Sequence, residues 1–201
     1  MSWTIVIPVK RLDEAKSRLR PSVANVAGLA LAFAVDTIGA AIGCERVAEV
    51  IVVTADPRVR SHAMGIGARV IDDPGSGLNS AASAGIALAS GGVAVLTGDL
   101  PCLRAEDLDE ALTLAEGHAL AMVADHSGRG TTMLASADGT PPHPRFGIGS
   151  RARHEGAGHV VLDIPEASAL RWDVDTAEDL AIALTLGVGP ATAAAVSARA
   201  G

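Results

Sequence analysis

The chain alternates short apolar runs with longer alanine-rich segments. Runs with the length and β-branched content of buried strands lie at residues 5–7, 47–53, 69–71, 93–96, 119–124 and 159–164. Segments that predict helices lie at residues 21–41, 80–90, 104–115 and 151–155, with a further short helix ending near residue 64 and another at the C-terminal end. Alternating strands and helices are typical of βαβ units. We therefore predict one α/β domain over residues 1–201, Rossmann-like, with a mainly parallel sheet flanked by helices.

The strand predicted at residues 93–96 ends abruptly in a segment that contains Gly98, Asp99 and Pro101. Ligands of open α/β sheets bind at the carboxyl ends of the strands, so Asp99 is the first candidate for chemistry. An equally simple interpretation is that Asp99 caps the helix that starts near Arg104, because Asp is favoured before helices.

A cationic segment follows the first predicted strand, with five Lys and Arg residues between positions 10 and 20. A solvated charged surface explains most such runs. Alternatively, Lys10, Lys16 and Arg18 converge on a triphosphate from one loop, since clustered cations are the usual ligands of phosphate groups.

Residues 72–80 form a predicted loop before the next helix, and the sequence Gly77-Leu78-Asn79 lies at its end. Asn79 is well placed as the N-cap of that helix. A bound nucleotide base could instead use Asn79 and the loop amides, because Gly75 and Gly77 allow close approach of the backbone.

Two later loops contain candidate binding residues. Thr131 and Thr132 follow a glycine-flanked turn, where their hydroxyls could meet a ligand. Residues 141–150 are too rich in Pro and Gly to be regular, and loops of that length in compact domains are usually functional. Gly149 and Ser150 then precede a predicted helix whose N-terminus could bind an anion.

The segment Asp173-Val174-Asp175-Thr176 pairs two acids. On an extended backbone, Asp173 and Asp175 share one face with Cα atoms roughly 6.5 Å apart. That spacing suits a pair of Mg²⁺ ions, or one ion and the groups that surround its direct ligands. The alternative is that Asp175 and Thr176 start the following helix, where acids in the first turn are favourable.

Composition limits the classes of partner. The 201 residues carry a net charge of −7 and include only two Phe, two Trp and no Tyr, which disfavours nucleic acid as a partner. Cys44 and Cys102 stand alone, without the spacing of a zinc site. We see no signal-like N-terminus and no apolar run of membrane-spanning length, so we expect a cytoplasmic protein with no membrane partner.

Taken together, several segments resemble the guanylyltransferases of deazaflavin coenzyme F-420 biosynthesis along nearly the whole chain. These segments are residues 7–10, 16–19, 77–79, 98–101, 143–150 and 173–176. The His-Pro-Arg-Phe-Gly run at 143–147 and the Asp-x-Asp-Thr run at 173–176 are the most specific of them.

The resemblance implies a MobA-like nucleotidyltransferase fold and an enzyme that couples GTP to a small phosphorylated three-carbon acid. Archaeal members of the family use 2-phospholactate and actinobacterial members use phosphoenolpyruvate, and the high Ala and Gly content here resembles the latter. The resemblance further implies that Thr131, Gly147 and Ser150 hold the acid and that Asp99, Asp173 and Asp175 bind Mg²⁺. Hand-off of the product to a downstream transferase is part of the same expectation.

The chain lacks the Gly-Gly-x-Gly first loop of the wider superfamily, which leaves more of the phosphate binding to the cationic segment. Three other functions remain open at this point: the same reaction on 2-phospholactate, transfer by a sugar-phosphate nucleotidyltransferase or glycosyltransferase, and GTP binding without catalysis.

Overall fold

A seven-stranded sheet forms the centre of the computed structural model, which describes residues 1–13, 16, 19 and 25–198. Its strands are β1 (Trp3–Pro8), β2 (Val47–Val53), β3 (Arg69–Ile71), β4 (Gly92–Leu96), β5 (Ala121–Ala124), β6 (Thr131–Ser136) and β7 (Val160–Val161). The helices are α1 (Val26–Gly43), α2 (Pro57–Gly65), α3 (Leu78–Ile86), α4 (Ala105–Ala115), α5 (Ser150–Glu155), α6 (Ala177–Leu186) and α7 (Pro190–Ser197).

The strands lie in the order β3-β2-β1-β4-β6-β5-β7. All neighbouring pairs are parallel except those of β6, which runs antiparallel to both β4 and β5. Strand β6 reverses direction because a short turn, not a helix, connects it to β5. The prediction of a mainly parallel sheet flanked by helices is confirmed, with β6 as its exception.

The predicted strands agree best on the side of the sheet formed by β2 and β3 and worst at the β7 edge. Strands β2 and β3 have the predicted bounds, whereas β5 begins at Ala121, two residues later than expected. Strand β7 is limited to Val160–Val161, although residues 159–164 were predicted. Strand β7 is the last strand of the sheet and pairs only with β5. The backbone groups on its outer side therefore have no neighbouring strand whose hydrogen bonds would extend it.

Four helix starts differ from the prediction: α3 begins at Leu78 and α4 at Ala105, where residues 80 and 104 were predicted. Helix α1 begins at Val26, and the Asn25 side chain accepts a hydrogen bond from the Gly28 amide as its N-cap. The predicted start at residues 21–22 lies outside the described residues. Helix α5 begins one residue earlier than expected, at Ser150, after Gly149 with a positive φ of 69°.

The side chains of β1 alternate between two cores, as the period of a strand requires. Ile5 and Ile7 pack with residues of α1, α2 and α4, whereas Val6 packs with α3 on the opposite face. A Cβ at Gly85 of α3 would lie 2.3 Å from Val6 Cγ1. Glycine is therefore required there, because it lets α3 approach the sheet closely.

One helix corrects the expectation about apolar runs. The 18 residues of α1 have a mean hydropathy of 1.8, enough by length and composition to cross a membrane, and α6 with α7 pass the same test only as a pair bent by 120°. In α1, 56% of that window is buried in the protein. Since α1 packs on the sheet through Ala30, Ala34 and Ile38, it has the environment of a core helix.

Candidate functional site

A cavity of about 910 Å³ opens at the edge of the sheet where the parallel strands end. Thr97 and Asp125 reach it from just beyond β4 and β5, and Thr131 reaches it from the start of the antiparallel β6. The predicted site residues that line it are Leu78, Thr131, Gly147, Ser150, Asp173 and Asp175. The cavity therefore lies where open α/β sheets bind ligands.

Asp99 lies three residues beyond β4 and is joined to the Asp-x-Asp segment by the backbone. The Val174 amide donates a hydrogen bond of 3.1 Å to the Asp99 carbonyl. This bond brings residues that are far apart in the sequence to one place. The alternative role for Asp99 is wrong, because the N-cap of α4 is Arg104 and that helix has no side-chain cap.

Lys16 lies between two of these acids. Its ammonium pairs with Asp99 Oδ2 and, at 2.7 Å, with Asp175 Oδ1, and only 9% of its side chain is exposed. Burial alone would lower the pKa of Lys16, but the carboxylates of Asp99 and Asp175 outweigh it and hold that pKa above its ordinary value. Lys16 is therefore a charged member of the cluster that it forms with Asp99, Asp173 and Asp175, called the acidic end below.

The other predicted cations are not placed in the same way. Lys10 is exposed on the segment after β1, with no hydrogen bond or ion pair to any residue that the structure describes. Arg18 lies outside the described residues. The convergence of all three cations on a phosphate thus stays a prediction.

Asp173 is the acid with the most unfavourable surroundings. Burial, followed by the negative charges of Asp99, Asp175 and Asp125, raises the pKa of its carboxyl group well above the usual range. Its Oδ1 is buried and has no hydrogen-bond partner among the residues that the structure describes, and the same holds for Oδ1 of Asp99. Burial of these two oxygens is therefore unfavourable.

An imidazole next to Asp173 was not predicted from the sequence. The ring of His126 stacks on Trp172, with 4.5 Å between ring centroids, and its Nδ1 lies 3.5 Å from Asp173 Oδ1. On its other side, Nε2 of His126 lies 3.8 Å from Asp179 Oδ1. The ring of His126 therefore lies between Asp173 and the Asp179 side chain of α6.

The start of α6 orients Asp175. Thr176, not Asp175, is the N-cap, and it forms a reciprocal capping box with Asp179. The Asp179 carboxylate also accepts a 3.0 Å hydrogen bond from the Asp175 amide. The Asp175 side chain is consequently not used for capping and turns to the cavity and Lys16.

The three predicted metal ligands approach one another without forming a finished metal site. Within residues 1–13, 16, 19 and 25–198, no three His, Cys, Asp or Glu side chains are arranged to hold a metal ion. The ammonium of Lys16 already pairs with Asp99 and Asp175.

A second group of cavity-lining side chains, called the hydroxyl end below, consists of Thr131 and Ser150. Ser150 Oγ lies 3.2 Å from Thr131 Oγ1, which in turn lies 2.9 Å from His154 Nδ1. All three side chains are buried, at 2%, 6% and 0% exposure respectively. The Ser150 amide donates to the Gly147 carbonyl, so the three predicted acid-binding residues meet at one point.

The N-cap role considered for Asn79 is wrong, whereas its contact with a nucleotide base stays a prediction. The N-cap of α3 is Gly77, and Asn79 lies inside the helix. Its side-chain Oδ1 accepts a 2.7 Å hydrogen bond from the Phe146 amide, and its Nδ2 donates to the Phe146 carbonyl at 3.4 Å. Asn79 therefore connects the predicted nucleotide loop to the loop that contains Gly147.

A family model described as guanylyl transferase CofC like matches residues 3–194. The chain belongs to this guanylyl transferase family. Curated relatives are named phosphoenolpyruvate guanylyltransferase: that of Salinispora arenicola is 48% identical over 95% of this chain and 92% of its own length. That of Streptomyces scabiei is 46% identical over 98% of this chain and 97% of its own.

Solved structures agree on the fold of this family member. A 4-diphosphocytidyl-2C-methyl-D-erythritol synthase superposes with a TM-score of 0.64 at 15% identity, covering 92% of this chain and 98% of its own. A cytidylyltransferase of Leptospira borgpetersenii superposes with a TM-score of 0.57 at 14% identity, covering 90% and 84%. The predicted nucleotidyltransferase fold is thereby confirmed.

Sequence reasoning missed two residues beside the site, His126 and His154, and it predicted the glycine-flanked turn between β5 and β6 without the part that Asp125 plays in it. In that turn the Asp125 carboxylate accepts from the Ser127 hydroxyl and the Arg129 amide, and a Cβ at Gly130 would lie 2.4 Å from it. An Asp followed by Ser and Gly was a usable signal for the turn. The two histidines had no comparable signal, because their partners are distant in the sequence.

Proposed function

We propose that this enzyme transfers the guanylyl group of GTP to phosphoenolpyruvate, as a step of coenzyme F-420 biosynthesis. The products would be enolpyruvoyl-diphosphoguanosine and pyrophosphate. The observation that carries the proposal is one cavity with carboxylates at one end and buried hydroxyls at the other, in a chain whose relatives are named phosphoenolpyruvate guanylyltransferase.

The chemistry requires little acid–base help from the protein. A phosphate oxygen of phosphoenolpyruvate attacks the α-phosphorus of GTP, the bond from that phosphorus to the bridging oxygen of the β-phosphate breaks, and pyrophosphate leaves. The attacking oxygen is already anionic, so no general base is needed. The obstacle is the repulsion between two anions, and the site must bind, orient and neutralise them.

The hydroxyl end is suited to orient the acid. Thr131, Ser150 and the backbone of Gly147 lie together at the wall of the cavity and offer hydrogen-bond groups without adding negative charge. Held there, the phosphorylated acid would have its phosphate directed to the acidic end. Leu78 lines the cavity after β3 and Gly77 precedes it, so we assign the nucleotide to that side.

The acidic end is suited to Mg²⁺, which we propose as the cofactor held by Asp99, Asp173 and Asp175. Mg²⁺ prefers carboxylate oxygens, and buried oxygens of Asp99 and Asp173, which have no hydrogen-bond partner in the described part of the chain, fit such a cation. Bound there, the ion would supply positive charge that offsets the charge of the phosphate groups. Lys10, Lys16 and Arg18 would neutralise the departing pyrophosphate.

The same proposal places the enzyme in the cytoplasm, without a nucleic-acid or membrane partner, and passes the product to a downstream transferase. The net charge of −7 supports the exclusion of nucleic acid, because it repels a polyphosphate backbone.

The test is pyrophosphate release by the purified protein with Mg²⁺ and GTP, measured with phosphoenolpyruvate and with 2-phospholactate in parallel. We expect release with phosphoenolpyruvate and a smaller rate when CTP or ATP replaces GTP. Faster release with 2-phospholactate would change the acceptor but keep the reaction class. Release only with a sugar phosphate, or GTP binding without release from any acceptor, would overturn the proposal.

A further inference from the structure

The imidazole of His154 lies behind the hydroxyl end and was not among the predicted site residues. It is fully buried on α5 and does not line the cavity. Its two ring nitrogens have different partners: Nδ1 lies 2.9 Å from Thr131 Oγ1, and Nε2 lies 2.8 Å from the backbone nitrogen of Arg145.

The Arg145 contact decides which nitrogen of His154 carries hydrogen. A backbone N–H can only donate, so Nε2 must accept and is unprotonated. In a neutral ring the hydrogen then lies on Nδ1, and this nitrogen donates to Thr131 Oγ1. Burial, together with the neighbouring charges of His159, Arg153 and Arg145, lowers the pKa of His154 to about 4, so the ring is neutral at pH 7.

This tautomer limits where the two hydroxyl hydrogens point. Thr131 and Ser150 are 3.2 Å apart, so one of their hydrogens is used in the bond between them. The other cannot go to His154, because Nδ1 is itself a donor. Among the described residues neither hydroxyl has another hydrogen-bond partner, and both residues line the cavity.

We propose that His154 is a positioning residue, fixed in the Nδ1–H form by the Arg145 backbone, which makes the Thr131–Ser150 pair present one hydroxyl hydrogen to an anionic oxygen of the phosphorylated acid. The inference rests on the proposed function, since it assigns the acid to this end of the cavity. His154 contributes no contact of its own to the substrate.

His154 also packs in the core, so the test must separate positioning from folding. Its ring meets Phe146 and His159 edge-on, with centroids 5.3 and 5.5 Å away. Two substitutions each keep one of the two hydrogen-bonding groups of the ring and remove the other. His154→Asn keeps a donor at the position of Nδ1, and His154→Gln keeps an acceptor at the position of Nε2 for the Arg145 amide.

The first experiment measures KM for phosphoenolpyruvate, KM for GTP and kcat by pyrophosphate release. For His154→Gln we expect KM for phosphoenolpyruvate to rise on the order of tenfold, with KM for GTP little changed, because a hydrogen bond to a charged group is lost. For His154→Asn we expect a distinctly smaller rise. His62→Gln, an exposed change on α2, is the control and should leave all three constants unchanged.

A merely structural role would give a different result. Both variants would then lose thermal stability and activity in parallel, and the two KM values would move together. That pattern, or an unchanged KM for phosphoenolpyruvate in folded His154→Gln, overturns the inference.

The second experiment needs no turnover. Long-range ¹H–¹⁵N correlation spectra of the histidine rings at pH 7, with His154 assigned by its disappearance in His154→Gln, should show hydrogen on Nδ1 and none on Nε2. Hydrogen on Nε2 would overturn the inference directly. An inactive wild-type protein would instead contradict the proposed function, so the two failures are distinguishable.

Discussion

The acidic end and the hydroxyl end of the cavity differ in charge and in hydrogen bonding. At the acidic end, Asp99 and Asp173 each bury an oxygen that has no hydrogen-bond partner among the described residues, and the charges of Asp99 and Asp175 act against ionisation of Asp173. At the hydroxyl end, Thr131 and Ser150 are neutral and hydrogen-bonded. The acidic end carries three carboxyl groups against the single ammonium of Lys16, whereas the hydroxyl end is neutral and already hydrogen-bonded. Such a difference is expected where one end holds a cation and the other orients a substrate.

The largest effect should follow a change at the acidic end. For Asp99→Asn we expect turnover to fall about a thousandfold, since charge stabilisation of the transition state is lost, while the fold is retained because the amide has nearly the same shape. Pyrophosphate release and circular dichroism measure the two properties. Asp163→Asn, an exposed acid outside the cavity, is the matched control. Near-normal turnover in Asp99→Asn would remove Asp99 from the site.

His154, which lies behind the hydroxyl end, should make the free energy of unfolding depend on pH. The folded protein keeps His154 neutral down to about pH 4, whereas the unfolded chain protonates it near pH 6.5. As pH falls, the unfolded state therefore binds the proton first. The neutral His154 thus contributes to the free energy of unfolding fully above pH 6.5, and this contribution is lost between pH 6.5 and pH 4. It amounts to at most about 3 kcal/mol.

Urea unfolding of wild type and His154→Gln across this range measures that contribution. The difference in free energy of unfolding between the two proteins should shrink as the pH is lowered, because the variant has no imidazole to protonate. A constant difference from pH 7 to pH 4 would contradict the prediction.

Removal of the Lys16 charge should affect the acidic end alone. For Lys16→Met we expect turnover to fall about a hundredfold, because a nearly buried cation that pairs with two carboxylates is removed. A rise in ionic strength should not restore the activity. Lys10→Met removes an exposed cation of the same segment and should act mainly on KM for GTP. Equal loss of kcat in both variants would show that the segment acts only as a general positive surface.

Thr131 should give the smallest effect and the most specific one. For Thr131→Val we expect KM for phosphoenolpyruvate to rise about tenfold with kcat little changed, because one hydrogen bond to the acid is lost. Thr131→Ser keeps the hydroxyl and should retain most of the affinity. If the two variants behave alike in steady-state kinetics, the hydroxyl does not contact the acid.

The fold was predictable because its signals are local. Apolar runs of strand length and alanine-rich helical segments determine the element order, and β2 and β3 appear with their predicted bounds. Errors arose where pairing partners decide the outcome. Strand β7 is short because it lies at the sheet edge, and β6 runs antiparallel because a turn precedes it.

The site was predictable in its residue types more than in its contacts. Thr131 and Ser150 meet as expected, and Asp99 lies beside the Asp-x-Asp segment through the Val174 amide. The N-cap role considered for Asn79 was wrong, because Gly77 caps α3 and the partner of Asn79, Phe146, is 67 residues away and leaves no trace in the local sequence. Its contact with a nucleotide base stays a prediction.

The sequence by itself determined the alternation of strands and helices, because hydrophobic periodicity depends on a few neighbouring residues. It thereby also determined which polar residues follow the ends of the strands. Tertiary structure alone decided that Lys16 pairs with acids 83 and 159 residues further along the chain. It also decided which nitrogen of His154 carries hydrogen. Charges and hydrogen bonds depend on distances of a few ångströms, and the folded sheet sets those distances.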